Sequence, residues 1–167
     1  MPDIRNYYAA SSDISITLAS LASDTNLLIG RQSVVIDNRT TRALDYLVGG
    51  KVTTGTTPTT GRAIEVWAIG TADGVNWPDV WNDLGDAART ATSADIKSAS
   101  CRLVAAMATD ATSNRTYSFS PVSIAAAFGG TLPPEFVVWV VQSTGVALNA
   151  TAANHLLRVT PVSRTVS

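Results

Sequence analysis

The chain has 167 residues, of which 46% are apolar and only 15% charged, with a net charge of −1 and a pI near 5.7. That length fits one domain and buries a core without staples. With no Lys- or Arg-rich run it lacks the footprint of a nucleic-acid binder, and its single cysteine, Cys101, excludes an internal disulfide and a cysteine-only metal site.

The charged fraction sits below the usual value of about 25%. Neutral surface is easier to bury against a partner than charged surface, so the composition leans toward a protein that assembles. Much of the gap is filled by Thr and Ser, which are also ordinary strand and turn residues. Ten of the twelve basic residues are Arg, the exceptions being Lys51 and Lys97. Arg suits buried contacts because its planar fork is pre-organised; a GC-rich genome produces the same bias.

The start of the chain has no charged segment followed by an apolar one, as a signal peptide would, and no apolar run reaches the roughly 18 residues of a membrane span. A soluble protein made in a cytoplasm is expected. Residues 1–23, rich in Ala and Ser beyond Tyr8, are expected to form an arm that orders against a neighbour, with the domain proper spanning 24–167.

Period-two alternation and short apolar runs predict eight strands, at 14–19, 33–37, 44–53, 62–70, 101–108, 116–120, 136–143 and 156–162. The Thr/Gly/Pro segment 54–61 reads as the loop of a long hairpin. In the strand after it, Ile64, Val66 and Ala68 share an inward face, leaving Glu65, Trp67 and Ile69 on a face partly exposed or at an interface. The run Phe136–Val141 is apolar on both faces, so it needs two covers. The second is either another subunit or a loop or helix of the same chain. Ser93 caps a possible single turn over 93–98, and 121–128 reads as a short helix stopped by Gly129 and Gly130. These elements fit an all-β, antiparallel β-sandwich, jelly-roll-like, with about eight strands and one short helix.

Chemistry-bearing residues are few. His155 is the only histidine, no Gly-x-Ser-x-Gly occurs, and Cys101 lies in an apolar run without an activating neighbour. Glu65 and Glu135, the only glutamates, are not placed as a glycosidase pair. The loop 73–86 holds Asp73, Asp79, Asp83 and Asp86, but not at calcium-loop spacing. The chain is therefore expected to be no enzyme and to need no cofactor or metal. Trp77 and Trp81 in that loop suit a cap on the sandwich, a protein contact or a sugar-stacking platform. With Trp67 and Trp139 they are the candidate interaction residues.

Several segments taken together carry a resemblance. Leu28 to Ser33 leads into Ile36-Asp37-Asn38, then Leu44 to Lys51, Thr54-Gly55-Thr56 and Ile64 to Trp67. Phe119 to Ser123, Ala127 to Gly130 and Asn149 to His155 follow. This order resembles a family of small β proteins from the structural modules of tailed bacteriophages, over residues 28–162. The resemblance implies a virion component, either capsid decoration (cement) or a tail or tail-tip protein. It also implies self-association, with trimers as the form common among small jelly-roll cement proteins, and a capsid protein as partner. A carbohydrate-binding module on a tail appendage is the alternative. Neither nucleic acid nor membrane is expected as a partner.

Overall fold

The structure, a computed structural model, describes residues 4–166. Strands β1 (Ile4–Tyr8), β2 (Ser12–Asp13), β3 (Ile29–Gln32) and β4 (Ile36–Asp37) precede helix α1 (Asn38–Thr41). Next come β5 (Asp45–Thr53), β6 (Arg62–Thr71), β7 (Ala87–Thr90), α2 (Ala94–Ser100), β8 (Arg102–Thr109) and β9 (Thr116–Ser123). Helix α3 (Ile124–Ala127), β10 (Glu135–Gln142), a 3-10 turn (Ala152–Asn154) and β11 (Leu156–Val166) complete the chain.

Two antiparallel sheets face each other. The first runs β1-β11-β5-β9, with β2 also on β11; the second runs β7-β3-β10-β6-β8, with β4 also on β10. The pairing is nested along the chain: β1 with β11, β3 with β10, β5 with β9 and β6 with β8. A long antiparallel ribbon has thus been folded over on itself, and rolling it adds the β11–β5 and β10–β6 ladders. That connectivity is a jelly roll. It carries more strands than the sequence pattern shows, and three short α-helices where one was expected.

The alternation of the strands explains which face goes where. Tyr46, Val48 and Val52 of β5, Ile64, Val66 and Ala68 of β6, and Phe136, Val138 and Val140 of β10 all enter the core between the sheets. Each fully buried aliphatic side chain there contributes on the order of 1.5–3 kcal/mol. Tyr46 and Phe136 meet ring to ring, with centroids 5.5 Å apart.

One expectation changes. The segment 54–61 is no hairpin loop: β5 lies in the first sheet and β6 in the second, so it crosses between them. Its Gly and Pro encode a reversal, but both edges of β5 are already taken by β9 and β11. The arm expected at 1–23 lies partly outside the described residues. β1 is exposed along its length, whereas Ile14 and Leu18 are buried in the main core. The Ile14 amide donates to the Leu157 carbonyl of the first sheet, and the Ser15 carbonyl accepts from the Val34 amide beside the second, so this stretch closes one open side of the sandwich. Strands predicted at 14–19 and 33–37 shift accordingly to β2, β3 and β4.

Removing Ile64, which is fully buried at the centre of the sandwich, is expected to be severe. Ile64→Ala should lower unfolding free energy in urea by about 2–5 kcal/mol. Val75→Ala, at a position 79% exposed, should change it by no more than about 0.5 kcal/mol.

Candidate functional site

The two outer faces of the sandwich are treated differently. On the second sheet, Val137, Trp139 and Val141 of β10 and Ile69 of β6 point away from the main core, yet all are fully buried. The connection between β6 and β8 folds back over them and brings Trp77, Val80, Trp81 and Cys101. Trp81 meets Trp139 edge to face, with centroids 5.3 Å apart and planes at 77°. The second cover of β10 is therefore a loop and helix of the same chain.

Buried polar groups hold this cover down. Gln32, fully buried on β3, donates from Nε2 to the carbonyls of Asn82 (2.8 Å) and Gly85 (3.1 Å), and its Oε1 accepts from Arg89 Nε at 3.1 Å. Arg31 pairs with Asp86, which also accepts from Thr17. Lys97 of α2 is 7% exposed. Its Nζ donates to Glu65 Oε2 and to the Leu27 carbonyl, each at 2.8 Å, and sits 4.5 Å above the Trp67 ring. Trp67 Nε1 donates to the same Glu65 oxygen at 2.9 Å. The ammonium thus has a carboxylate, a carbonyl and an indole face around it, which together compensate its desolvation.

This arrangement fixes where the four candidate tryptophans stand. Trp139 and Trp81 are 0% and 2% exposed, so neither presents a ring to a partner. Trp67 and Trp77 are half-buried and pack against the same cluster. The indole nitrogens of Trp77, Trp81 and Trp139 are buried without an acceptor among the described residues. Trp77 and Trp81 do not form an open platform for a sugar ring. Gln32, Arg31, Arg89 and Lys97, which organise the cover, were not among the candidate interaction residues. They sit in short elements with no apolar run to mark them, β3 being Ile-Gly-Arg-Gln and α2 Ala-Asp-Ile-Lys-Ser-Ala-Ser.

The loop aspartates diverge. Asp73 closes its own turn, accepting from the Val75 and Asn76 amides at 2.9 and 2.7 Å, from Asn76 Nδ2 and from Thr71 Oγ1. Asp79 holds the Thr92 amide and Asp86 holds Arg31, while Asp83 is exposed. Among the described residues no group of three or more His, Cys, Asp or Glu is close enough to hold a metal ion.

His155 Nε2 donates to the Asn149 carbonyl at 2.8 Å and Nδ1 accepts from the Thr53 amide at 3.3 Å, so the ring is pinned at both ends. Burial pushes the Cys101 thiol up to about 12, which keeps it protonated and unreactive. Glu135, buried at the start of β10, pairs with Arg39.

The outer face of the first sheet has no such cover. Its open apolar groove, of about 220 Å³, is lined by Leu47, Gly49, Gly50, Phe119, Pro121 and Leu156. Gly50 is required there: a Cβ would come within 2.2 Å of the Leu156 carbonyl. Arg158 lines one side and pairs with Asp13 at 2.9 Å. Neutral side chains on an uncovered sheet are the makings of a protein contact surface.

No family model, no curated protein and no solved structure matches the chain.

Two outcomes follow from the covered face. Lys97→Ala leaves Glu65 without its ammonium in a largely buried site and should cost about 3 kcal/mol in urea denaturation. The pair Lys97→Met with Glu65→Gln should recover most of that loss. For Asp73, the hydrogen bonds from the Asn76 side chain and amide and from the Val75 amide hold its carboxyl well below the usual carboxylate range. Their contribution is complete above the unfolded value of about 3.9 and is lost as pH falls toward the folded one. Carboxyl-carbon NMR should show Asp73 titrating below the unfolded value of about 3.9, and Asn76→Ala should move it back up.

Proposed function

We propose that the chain is a structural protein of a tailed-bacteriophage particle, a capsid decoration protein that stabilises the head by covering surface on the shell. The observation that carries this reading is the asymmetry of the sandwich. The chain covers the outer face of its second sheet with its own loop and helix, and leaves the apolar, glycine-floored face of the first sheet open. A jelly roll with one finished face and one bare face has a direction in which to bind. The resemblance of residues 28–162 to small phage structural proteins supplies the kind of partner, and the low charge suits a surface that is covered in its working state.

A subunit that binds only the assembled lattice raises its resistance to rupture by mass action. Such binding needs a well-packed contact, because burial must offset the entropy lost on association. Leu47, Pro121 and Leu156 supply neutral area for it, and Arg158 a polar edge.

Quantitative mass spectrometry of purified particles tests the reading. Copies in the hundreds, on heads, are the expected result; absence, or a handful at the tail, would overturn it. Leu156→Lys places a charge in the groove. It should abolish incorporation while leaving unfolding free energy within about 1 kcal/mol of the parent. Particles without the chain should release their contents at lower temperature than particles saturated with it.

A further inference from the structure

The first five described residues form β1, and every one of them is exposed. β1 lies antiparallel on the last part of β11, in unbroken register from Ile4↔Val166 to Tyr8↔Val162. The other neighbour of β11, β5, stops at Asp45, opposite Val162. Residues 163–166 are therefore paired with β1 alone in these ladders. This two-stranded ribbon runs on past the body of its sheet. A ribbon of that kind is marginal in water without a further strand.

Its free edge has a defined hydrogen-bonding phase. The Ala9 amide donates to the Pro161 carbonyl at 3.0 Å. In an antiparallel ladder hydrogen-bonded pairs alternate with non-bonded ones. Tyr7 and Arg5 therefore turn their backbone groups toward β11, while Tyr8, Asn6 and Ile4 turn theirs outward. No proline or lysine interrupts the stretch, and the register contains no bulge. Ile4, Tyr7 and Tyr8 are 62%, 54% and 58% exposed. Arg5 is the one charge on this edge, and no proline or bulge turns the edge away from a further strand.

We infer that this edge pairs with the same edge of a second copy, antiparallel across a twofold axis through Asn6. In that register Ile4 faces Tyr8 of the second copy, Arg5 faces Tyr7, and Asn6 faces Asn6. Every outward-facing residue meets another outward-facing one, so each of those pairs exchanges both of its hydrogen bonds. Ile–Tyr and Arg–Tyr are favourable cross-strand pairs, the second through the ring face. The competing twofold centred on Arg5 sets two arginines directly opposite and leaves Tyr8 beyond the paired stretch. The one centred on Tyr7 leaves Ile4 without a partner in the strand. Registers shifted by a single residue set outward groups against inward ones and make no ladder. A second copy is therefore the occupant that both hydrogen-bonding phase and charge select. The contact is small, so the dimer depends on concentration.

The inference goes beyond the particle reading: it concerns the free chain, and no virion is needed to test it. Sedimentation of the full chain across a concentration series should show a monomer passing to a dimer. Asn6→Pro removes only an outward N–H, a change that an edge strand accepts without losing its own ladder. That variant should stay monomeric at every concentration with an unchanged circular dichroism spectrum. Cysteines read the register directly, because Cys101 is buried. Opposed residues of a hydrogen-bonded pair lie about 5.5 Å apart between Cα atoms, within reach of a disulfide. Asn6→Cys alone should form a covalent dimer on mild oxidation. Ile4→Cys and Tyr8→Cys should each fail alone and cross-link when mixed. A wild-type chain monomeric throughout would overturn the inference. So would a trimer, or cross-linking that ignores this register. If Asn6→Pro fails to fold, the cysteine pattern decides.

Discussion

β10 is the element on which the rest of the structure depends, because all eight of its residues are buried. A strand with two apolar faces cannot stop at one core. Phe136, Val138 and Val140 fill the space between the sheets, and this fixes β6 and β3 beside it and the first sheet opposite. Val137, Trp139 and Val141 then need a roof, so the long connection between β6 and β8 cannot run free in solvent. It must return across the sheet, and returning buries polar groups that need partners. Gln32, Arg31 and the Lys97–Glu65 pair supply them. One double-faced strand thus accounts for the second core, for the covering loop, and for a lysine held among aromatic rings.

The same constraint separates the two faces of the molecule. Covering β10 from within leaves the second sheet with no open apolar face on that side. The first sheet has no strand buried along its whole length at its centre: β5 mixes buried with half-buried residues, and its pairing with β9 shifts register between Val48 and Gly50. Nothing in the chain is compelled to return across that face. Its groove stays open for the reason that the other face is closed, and a binding direction is built into the strand sequences themselves.

Most of the strands are legible in the sequence, and so is the sandwich. β5, β6, β8 and β10 declare themselves by alternation or by a double apolar face, and Ser93 caps α2 with a bond to the Ile96 amide. What stayed hidden had no apolar periodicity to show. β1, with all five residues exposed, has no inward face, and β7, Ala87–Thr90, is a short edge strand. The crossing at 54–61 reads as a hairpin because local residues encode a reversal of direction, whereas the receiving sheet is chosen by pairings with β9, β10 and β11 far along the chain. The tryptophans illustrate the same limit. Their ring size marks them as anchors, but whether an anchor grips a partner or the chain's own loop depends on what folds over it. Trp81 and Trp139 grip each other.

Edges and faces are separate problems in this fold. A jelly roll covers its broad surfaces by stacking sheets but leaves strands at the margins, and each margin needs its own solution. In the first sheet the β9 margin is bent into α3, whose Ser123 cap bonds the Ala126 amide. At the other margin β2 and residues 14–18 leave the edge to cross toward the second sheet, which removes that stretch from competition for a further strand. β1 receives neither treatment. It precedes the crossing and ends on a ribbon longer than the body it grew from, with an ordered row of outward donors and acceptors at Ile4, Asn6 and Tyr8. A closed sheet needs a partner for that row. The bare face and the bare edge are thus independent consequences of one roll: the face follows from where the double-sided strand sits, the edge from how far the terminal ribbon runs beyond β5.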